Sequence, residues 1–391
     1  MNCRDALTQK LLIALAIAGA GTQHEADAGS FLDSWHKRVP SECLPAFDRM
    51  GGVWSESYGH GAYGPITVIP YAFRAWQTAT GIDYFKQLKP WGYPVESPRW
   101  VAYTMMPHND RTAWIDDGDG SIPSAFARAA PMLRDGLSQW FSDRGRDWLR
   151  ERWQRVACYD PSLPATPPDT LPLGYLFPGA GHVYMRSAWN DPNATWAFFG
   201  AGPQFAGHAR DDEGHFLICK QGALVSRQGG QGHNDSDYYS GGSLIYNIVT
   251  IFDPSEEFRR DKANENDGGL LRHVYESGGL PRERGHIVAF EHNPQYNHMT
   301  EGRKRPPLCP WRIEVGDPSP GTRTLFLHVF EIVDETVRQP SEVKFVAPAG
   351  LDIGDRWRVR FHATGSLGGQ VGDKDLATVI QTEAQYAGNR R

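Results

Sequence analysis

The hydrophobic pattern of this 391-residue chain changes at a proline-rich segment, residues 160–174, which carries five prolines in DPSLPATPPDTLPLG. Before it, apolar residues recur every three to four positions, which predicts helices. After it, short runs separated by Gly, Pro, Asn and Asp predict strands. We therefore predict an α+β multidomain chain: a helical domain over 1–159, a Pro-rich linker over 160–175 and an antiparallel β-sandwich domain over 176–391.

The first part carries helical periodicity over 6–18, 28–38 and 66–80. Gly81 follows the third of these, where a C-terminal glycine ends a helix. Pro131 predicts the first turn of one further helix running through MLRDGLSQWFSDR, because proline is accepted at that position. Successive antiparallel helix pairs of this kind are typical of an α/α toroid. We expect this domain to be toroid-like and incomplete.

The second part holds short strand-like segments separated by Gly, Pro, Asn and Asp, as expected of an antiparallel sandwich. Eight segments predict strands: 183–189, 194–200, 216–219, 244–252, 285–291, 323–333, 342–346 and 356–362.

Composition excludes some classes of function. The formal net charge is −6, whereas nucleic-acid binding requires a basic surface, so we expect no nucleic-acid partner. The five cysteines are odd in number and widely spaced, without a C-x-x-C pair, which argues against a disulfide framework or a zinc ribbon.

Residues 11–21, LLIALAIAGAG, allow two interpretations. They follow Arg4 and Lys10 and precede an A-x-A-like site, as in a signal peptide, which predicts a periplasmic or secreted protein. Alternatively they form a core helix of the helical domain, which is the interpretation we favour because Asp5 is unusual in a signal sequence. The run is too short to span a bilayer, so no membrane span is expected.

A motif in the second domain carries a family resemblance. The segment from His208 to Phe216 reads HARDDEGHF, Leu224 to Gly229 reads LVSRQG, and Tyr246-Asn247 precede a β-branched run. This order resembles the C-terminal sheet domain of the heparinase II/III-like polysaccharide lyases. In that family the frame usually reads His-x-His-x-Asp-x-Gly-x-Phe, then Leu-x-x-Asp-Ser-Gly, then His-Asn.

Three positions that commonly hold a metal in that family differ here: they are Arg210, Arg227 and Tyr246. A zinc site requires several converging His, Cys or carboxylate ligands, and a guanidinium cannot ligate a metal. We therefore expect no metal and no cofactor. Two arginines near one former ion position would replace its positive charge.

A second segment, Gly51 to Gly64, reads GGVWSESYGHGAYG. It resembles the Gly-Gly-Trp-x-Glu-Gly…Tyr-x-x-Tyr-Gly element of the lyase toroid, where a tyrosine faces the cleft. Both Tyr58 and Tyr63 fit the tyrosine position, and the choice stays open. The structural alternative is a loop packed by its own aromatic side chains.

The resemblance implies β-elimination at a uronic acid. The proton next to the carboxylate is weakly acidic, so its removal requires neutralisation of that carboxylate, a base, and an acid for the leaving oxygen. Arginine is well shaped for the carboxylate. Predicted catalytic residues are His208, Tyr63, Tyr58 and His60. Predicted substrate-binding residues are Arg210, Arg227, Glu56, Trp54, Asp212, Tyr246 and Asn247.

The expected partner is an acidic polysaccharide or oligosaccharide, and two other functions remain open. One is a non-catalytic glycan-binding relic, which the departures at the metal positions favour. The other is an inverting glycoside hydrolase, which needs two carboxylates roughly 6.5–9.5 Å apart across a cleft. Glu56 with Asp116, Asp117 or Asp119 would supply them.

Overall fold

The structure is a computed structural model. It describes residues 5–54, 65–109, 111–112, 131–144, 159–202, 214–225, 247–248, 286–289, 311–314, 327–333, 336, 339, 341–364 and 368–375. Contacts divide the chain into two compact units, residues 1–278 with 288–312 and residues 279–287 with 313–391. The predicted domain bounds at 159 and 176 stay a prediction.

Helices make up most of the described residues before 145. They are α1 (Asp5–Ile17), α2 (Glu25–Arg38), α3 (Leu44–Met50), α4 (Pro65–Thr80), α5 (Ser97–Thr104) and α6 (Gly136–Arg144), with a π-helical turn at Val39–Cys43 between α2 and α3. Gly81 adopts a left-handed φ of 79° directly after α4, as the predicted C-terminal glycine should.

The long helices pack around an aromatic core. Leu11 of α1 and Ile69 of α4 are buried there with Phe47, Phe73 and Trp76. Rings meet edge to face, as in the pair Phe73 and Tyr84, whose centroids lie 5.3 Å apart. The choice between a core helix and a signal peptide for residues 11–21 stays a prediction. Among the described helices, none is both long and apolar enough to cross a membrane.

The first unit also contains a five-stranded antiparallel sheet in the order β1-β2-β3-β4-β5. Its strands are β1 (Gly174–Phe177), β2 (His182–Arg186), β3 (Trp196–Gly200), β4 (His215–Cys219) and β5 (Ala223–Val225). Burial alternates along β3 and β4, because successive side chains point to opposite faces. The buried face carries Trp196, Phe198 and Leu217.

Two side chains of this sheet hold the C-terminal end of α5. The last carbonyls of a helix have no partner within it. The Nε1–H of Trp196 donates to the Tyr103 carbonyl at 2.7 Å, and the guanidinium of Arg186 donates to the Met105 carbonyl at 2.7 Å. Both donors are buried, so these bonds fix α5 against the sheet.

A second five-stranded antiparallel sheet follows, in the order β12-β11-β10-β9-β8. Its strands are β8 (Val343–Val346), β9 (Gly350–Ile353), β10 (Trp357–Phe361), β11 (Gly369–Val371) and β12 (Lys374–Asp375). Two further strands, β6 (His286–Ala289) and β7 (Trp311–Glu314), pair with each other. Helices followed by antiparallel sheets confirm the α+β prediction at this level.

Two sequence predictions were wrong in detail. The single helix expected from Pro131 is interrupted at Arg134, whose φ of 57° is left-handed, and α6 begins only at Gly136. The strand expected over 323–333 does not form over its described part, 327–333, which has no regular structure. Instead, Glu331 accepts hydrogen bonds from Ser341 just before β8.

Candidate functional site

The site region lies at the end of the first sheet where β1 ends and β2 begins. The turn between these strands, residues 178–181, contains two glycines and is called the glycine turn below. A Cβ on Gly179 would overlap the carbonyl of Met50, and a Cβ on Gly181 would overlap the carbonyl of Ala201. Only residues without a side chain fit at these positions.

The first predicted segment starts beside this turn. Residues 51–54 lead into the Gly-rich segment that carries the predicted tyrosines. A Cβ on Gly51 would lie 3.2 Å from the backbone nitrogen of Gly179, so the two backbones are in close contact. Gly51 has a φ of 65°, a left-handed conformation that glycine adopts readily.

The second predicted segment also leaves from the glycine turn. The backbone N–H of Ala201 donates to the Gly181 carbonyl at 2.9 Å. At the far side of the segment, Gly214 donates its N–H to the Gly200 carbonyl at 2.7 Å. The described residues on either side of segment 203–213, which includes His208, therefore lie at this same end of the sheet.

A third predicted residue, Asn247, is anchored on β4. Its backbone N–H donates to Nδ1 of His215 at 3.0 Å, and its side-chain amide donates to the Phe216 carbonyl at 2.9 Å. His215 is the first residue of β4 and lies opposite Gly200. Three segments that the sequence singles out thus meet one end of one sheet.

Most predicted site residues lie outside the described residues. These are Glu56, Tyr58, His60, Tyr63, His208, Arg210, Asp212, Arg227 and Tyr246. The acidic residues weighed for hydrolysis, Asp116, Asp117 and Asp119, lie outside them as well. Their assignments stay predictions, and only Trp54 and Asn247 can be located.

Trp54 is partly buried where the two hydrophobic cores meet. Its ring lies 5.3 Å, centroid to centroid, from that of the buried Tyr93. Contacts with the two cores therefore bury much of the Trp54 side chain. Its role in substrate binding stays a prediction. Its position fixes the point from which residues 55–64 depart.

A polar network contacts residues 51–54, which are called the stem of segment 55–64 below. The Tyr175 hydroxyl donates to Glu96 at 2.8 Å and accepts from Arg99 at 2.9 Å, while Arg99 and Glu96 form an ion pair at 3.0 Å. Burial, followed by the Glu96 charge, raises the pKa of Tyr175 to about 12. A Cβ on Gly52 would lie 2.7 Å from Cβ of Glu96, so the stem rests on this network.

Two histidines flank Gly200, and neither was predicted as a site residue. His182 on β2 and His215 on β4 both lie opposite Gly200 in the strand register. Cross-strand partners share a face, so both rings belong to the buried side. Desolvation lowers the pKa of His182 to about 4, which keeps it neutral near pH 7. Strand alternation through Phe216 could have indicated His215.

Within the part of the chain that the structure describes, no group of three or more His, Cys, Asp or Glu side chains is placed to hold a metal ion. The described cysteines, Cys43 and Cys219, are both buried. The expectation of no metal at residues 210, 227 and 246 stays a prediction, since these positions lie outside the described residues.

Comparisons with known proteins add a structural similarity. No family model matches the chain, and no curated relative does. A solved heparinase III is similar, with a TM-score of 0.44, 12% identity and coverage of 63% of this chain and 36% of its own.

Two heparan sulfate lyase HepC structures from Pedobacter heparinus, one of a mutant and one not, give TM-scores of 0.37 and 0.35 at 14% identity. They cover 59% and 56% of this chain, and 33% and 31% of their own. The chain thus spans about a third of the length of the structures it matches. These are heparinase-like lyases, the group that the sequence motifs resemble.

Proposed function

We propose that this chain is a polysaccharide lyase-like enzyme that cleaves a uronic-acid-containing glycan by β-elimination. The observation that supports the proposal is that three predicted segments meet at one end of the first sheet. The stems of segments 55–64 and 203–213 both contact the glycine turn, and Asn247 is bonded to β4 beside them. These are the segments that carry the predicted proton-transfer and carboxylate-binding residues.

The proposed reaction assigns each residue a task. Arg210 and Arg227 bind the uronate carboxylate and neutralise the charge that develops there. A base, His208 or a tyrosine of segment 55–64, removes the proton from the carbon next to the carboxylate. The electron pair forms a carbon–carbon double bond and the bond to the glycosidic oxygen breaks. An acid from the same set, Tyr58, His60 or Tyr63, protonates that oxygen.

The proposal includes the toroid-like helical domain and the sandwich arrangement of the sheets, with the substrate cleft at the glycine turn. It also includes an acidic polysaccharide or oligosaccharide as partner and a periplasmic or secreted location, since such polymers lie outside the cytoplasm. Positive charge at the two arginines would attract the polymer in a chain whose net charge is −6.

The test is an ultraviolet absorbance assay for unsaturated uronate on heparin, heparan sulfate, chondroitin sulfate, hyaluronan, alginate and ulvan. We expect product from at least one polymer, unchanged by chelator and lost in His208→Ala. The matched control is His24→Ala, at an exposed position next to α2, which should retain full activity.

Two other results would refute the proposal in different ways. New reducing ends without ultraviolet absorbance would indicate hydrolysis and point to Glu56 with an acidic partner. Binding to a polymer with neither product would indicate a glycan-binding protein without catalysis.

A further inference from the structure

His215 is held in one orientation by the buried face of the first sheet. It begins β4 and is fully buried. Its cross-strand partner Gly200 has no side chain, and the Phe198 ring covers that position: a Cβ on Gly200 would lie 2.8 Å from Cζ of Phe198. The His215 and Phe198 ring centroids lie 6.4 Å apart at 65°.

On the other side of Phe198, the His182 ring packs edge to face at 5.1 Å. Phe198 therefore separates two imidazoles that occupy equivalent places on β2 and β4. The two histidines differ in their polar contacts. Nδ1 of His182 lies 3.5 Å from the Tyr184 hydroxyl on its own strand, whereas Nδ1 of His215 accepts from Asn247, 32 residues away.

The bond from Asn247 determines the tautomer of His215. A backbone N–H donates, so Nδ1 must offer a lone pair and the ring proton is assigned to Nε2. An imidazolium carries protons on both nitrogens and cannot accept this bond. The second bond, from the Asn247 side chain to the Phe216 carbonyl, attaches the same residue to the next position of β4.

We infer that His215 is a positioning residue for the proposed active site. It holds Asn247 by the backbone, beside the point where β4 begins after segment 203–213. The attachment itself stands on geometry. Its consequence for substrate binding rests on the proposed function, because Tyr246 and Asn247 are predicted substrate-binding residues.

Two substitutions separate positioning from simple core packing. In His215→Asn, the side-chain oxygen takes the place of Nδ1 and can still accept the N–H of Asn247. In His215→Leu, a side chain of similar size fills the core without an acceptor. The matched control is His182→Leu, which removes the neighbouring imidazole from the same face and leaves the Asn247 bond intact.

The first measurement is amide hydrogen exchange of Asn247. We expect exchange to increase about tenfold in His215→Leu, because one hydrogen bond is lost, and to stay near the wild-type rate in His215→Asn and His182→Leu. Equal exchange in wild type and His215→Leu would overturn the inference. An equal increase in the Leu and Asn variants would do the same, since it would assign His215 to packing alone.

The second measurement is the ¹⁵N spectrum of the His215 ring in the wild-type protein, which needs no variant to fold. The inference requires an unprotonated Nδ1 and a protonated Nε2, and a protonated Nδ1 would refute it. On an active glycan, His215→Leu should raise KM more than it lowers kcat, with KM restored in His215→Asn. Absence of activity on every glycan would refute the proposed function while leaving the exchange result valid.

Discussion

Gly179 and Arg49 are in direct backbone contact: a Cβ on Gly179 would overlap the Arg49 carbonyl oxygen near the end of α3. This contact joins the helical part of the first unit to the turn between β1 and β2. Since the stem of segment 55–64 follows α3 directly, the same contact sets where that segment starts.

Gly179→Ala should therefore destabilise the protein by about 1–3 kcal/mol, because the added methyl group meets backbone atoms that cannot rotate away. The measurement is the denaturant midpoint of unfolding. The control is Gly222→Ala, where a Cβ meets nothing within 4 Å, with a change of less than about 0.5 kcal/mol expected. Equal midpoints for both variants would contradict the close contact.

Trp196→Phe tests the attachment of α5 to the sheet. Trp196 is fully buried and donates to the Tyr103 carbonyl. Phenylalanine removes the donor and leaves a void, so we expect a loss of about 2–4 kcal/mol in the free energy of unfolding. Trp357→Phe is the control, because Trp357 is 49% exposed and should change stability by less than about 0.5 kcal/mol. A loss in Trp196→Phe no larger than in this control would contradict the bond.

The helices that the sequence predicted well are the ones with a long apolar stripe. Predicted spans 6–18, 28–38 and 66–80 correspond to α1, α2 and α4, because their buried faces repeat every three to four residues. The helices it missed, α3 and α5, have only seven and eight residues. Each has proline in its first turn, and α5 is buried over most of its length, so no polar face gives a period.

Strand prediction succeeded where buried and exposed residues alternate. It failed where contacts between residues distant in sequence determine whether a strand forms. The segment 323–333 is rich in apolar and β-branched residues, as strands are, yet its described part is irregular. Conversely, β9 and β11 were missed. Both contain glycine, which disfavours strands, and both form through their pairing with β10. At the site, the sequence identified Asn247 by resemblance, but not its partner His215, since the bond joins residues 32 positions apart.

The low pKa of His182 predicts a pH dependence of stability. Its folded value is about 4 and the ordinary value is 6.5, so between these pH values the unfolded chain binds more protons than the folded one. Stability should therefore rise with pH through this window and be lost as pH falls from about 6.5 toward 4. Because the His182 residue as a whole keeps some solvent exposure, we expect a contribution of about 2 kcal/mol or less.

The measurement is the unfolding midpoint of wild type and His182→Gln at pH 4.5 and pH 7. The variant should show a smaller difference between the two pH values. The exposed His24, changed to Gln, serves as the control and should reproduce the wild-type difference. A His182→Gln variant with the full wild-type difference would show that His182 titrates normally.

The last prediction concerns the two arginines at positions where the resembling family commonly holds a metal. If they neutralise the substrate carboxylate, Arg210→Gln and Arg227→Gln should each lower kcat/KM about 100-fold or more, because charge stabilisation acts mainly in the transition state. Lysine at either position should restore only part of the rate, since it keeps the charge but loses the bidentate geometry. The control is Arg356→Gln in the second unit, with unchanged kcat/KM. Chelator should have no effect on the wild type. Loss of activity with chelator, together with near-normal rates in both glutamine variants, would instead assign the carboxylate to a metal ion.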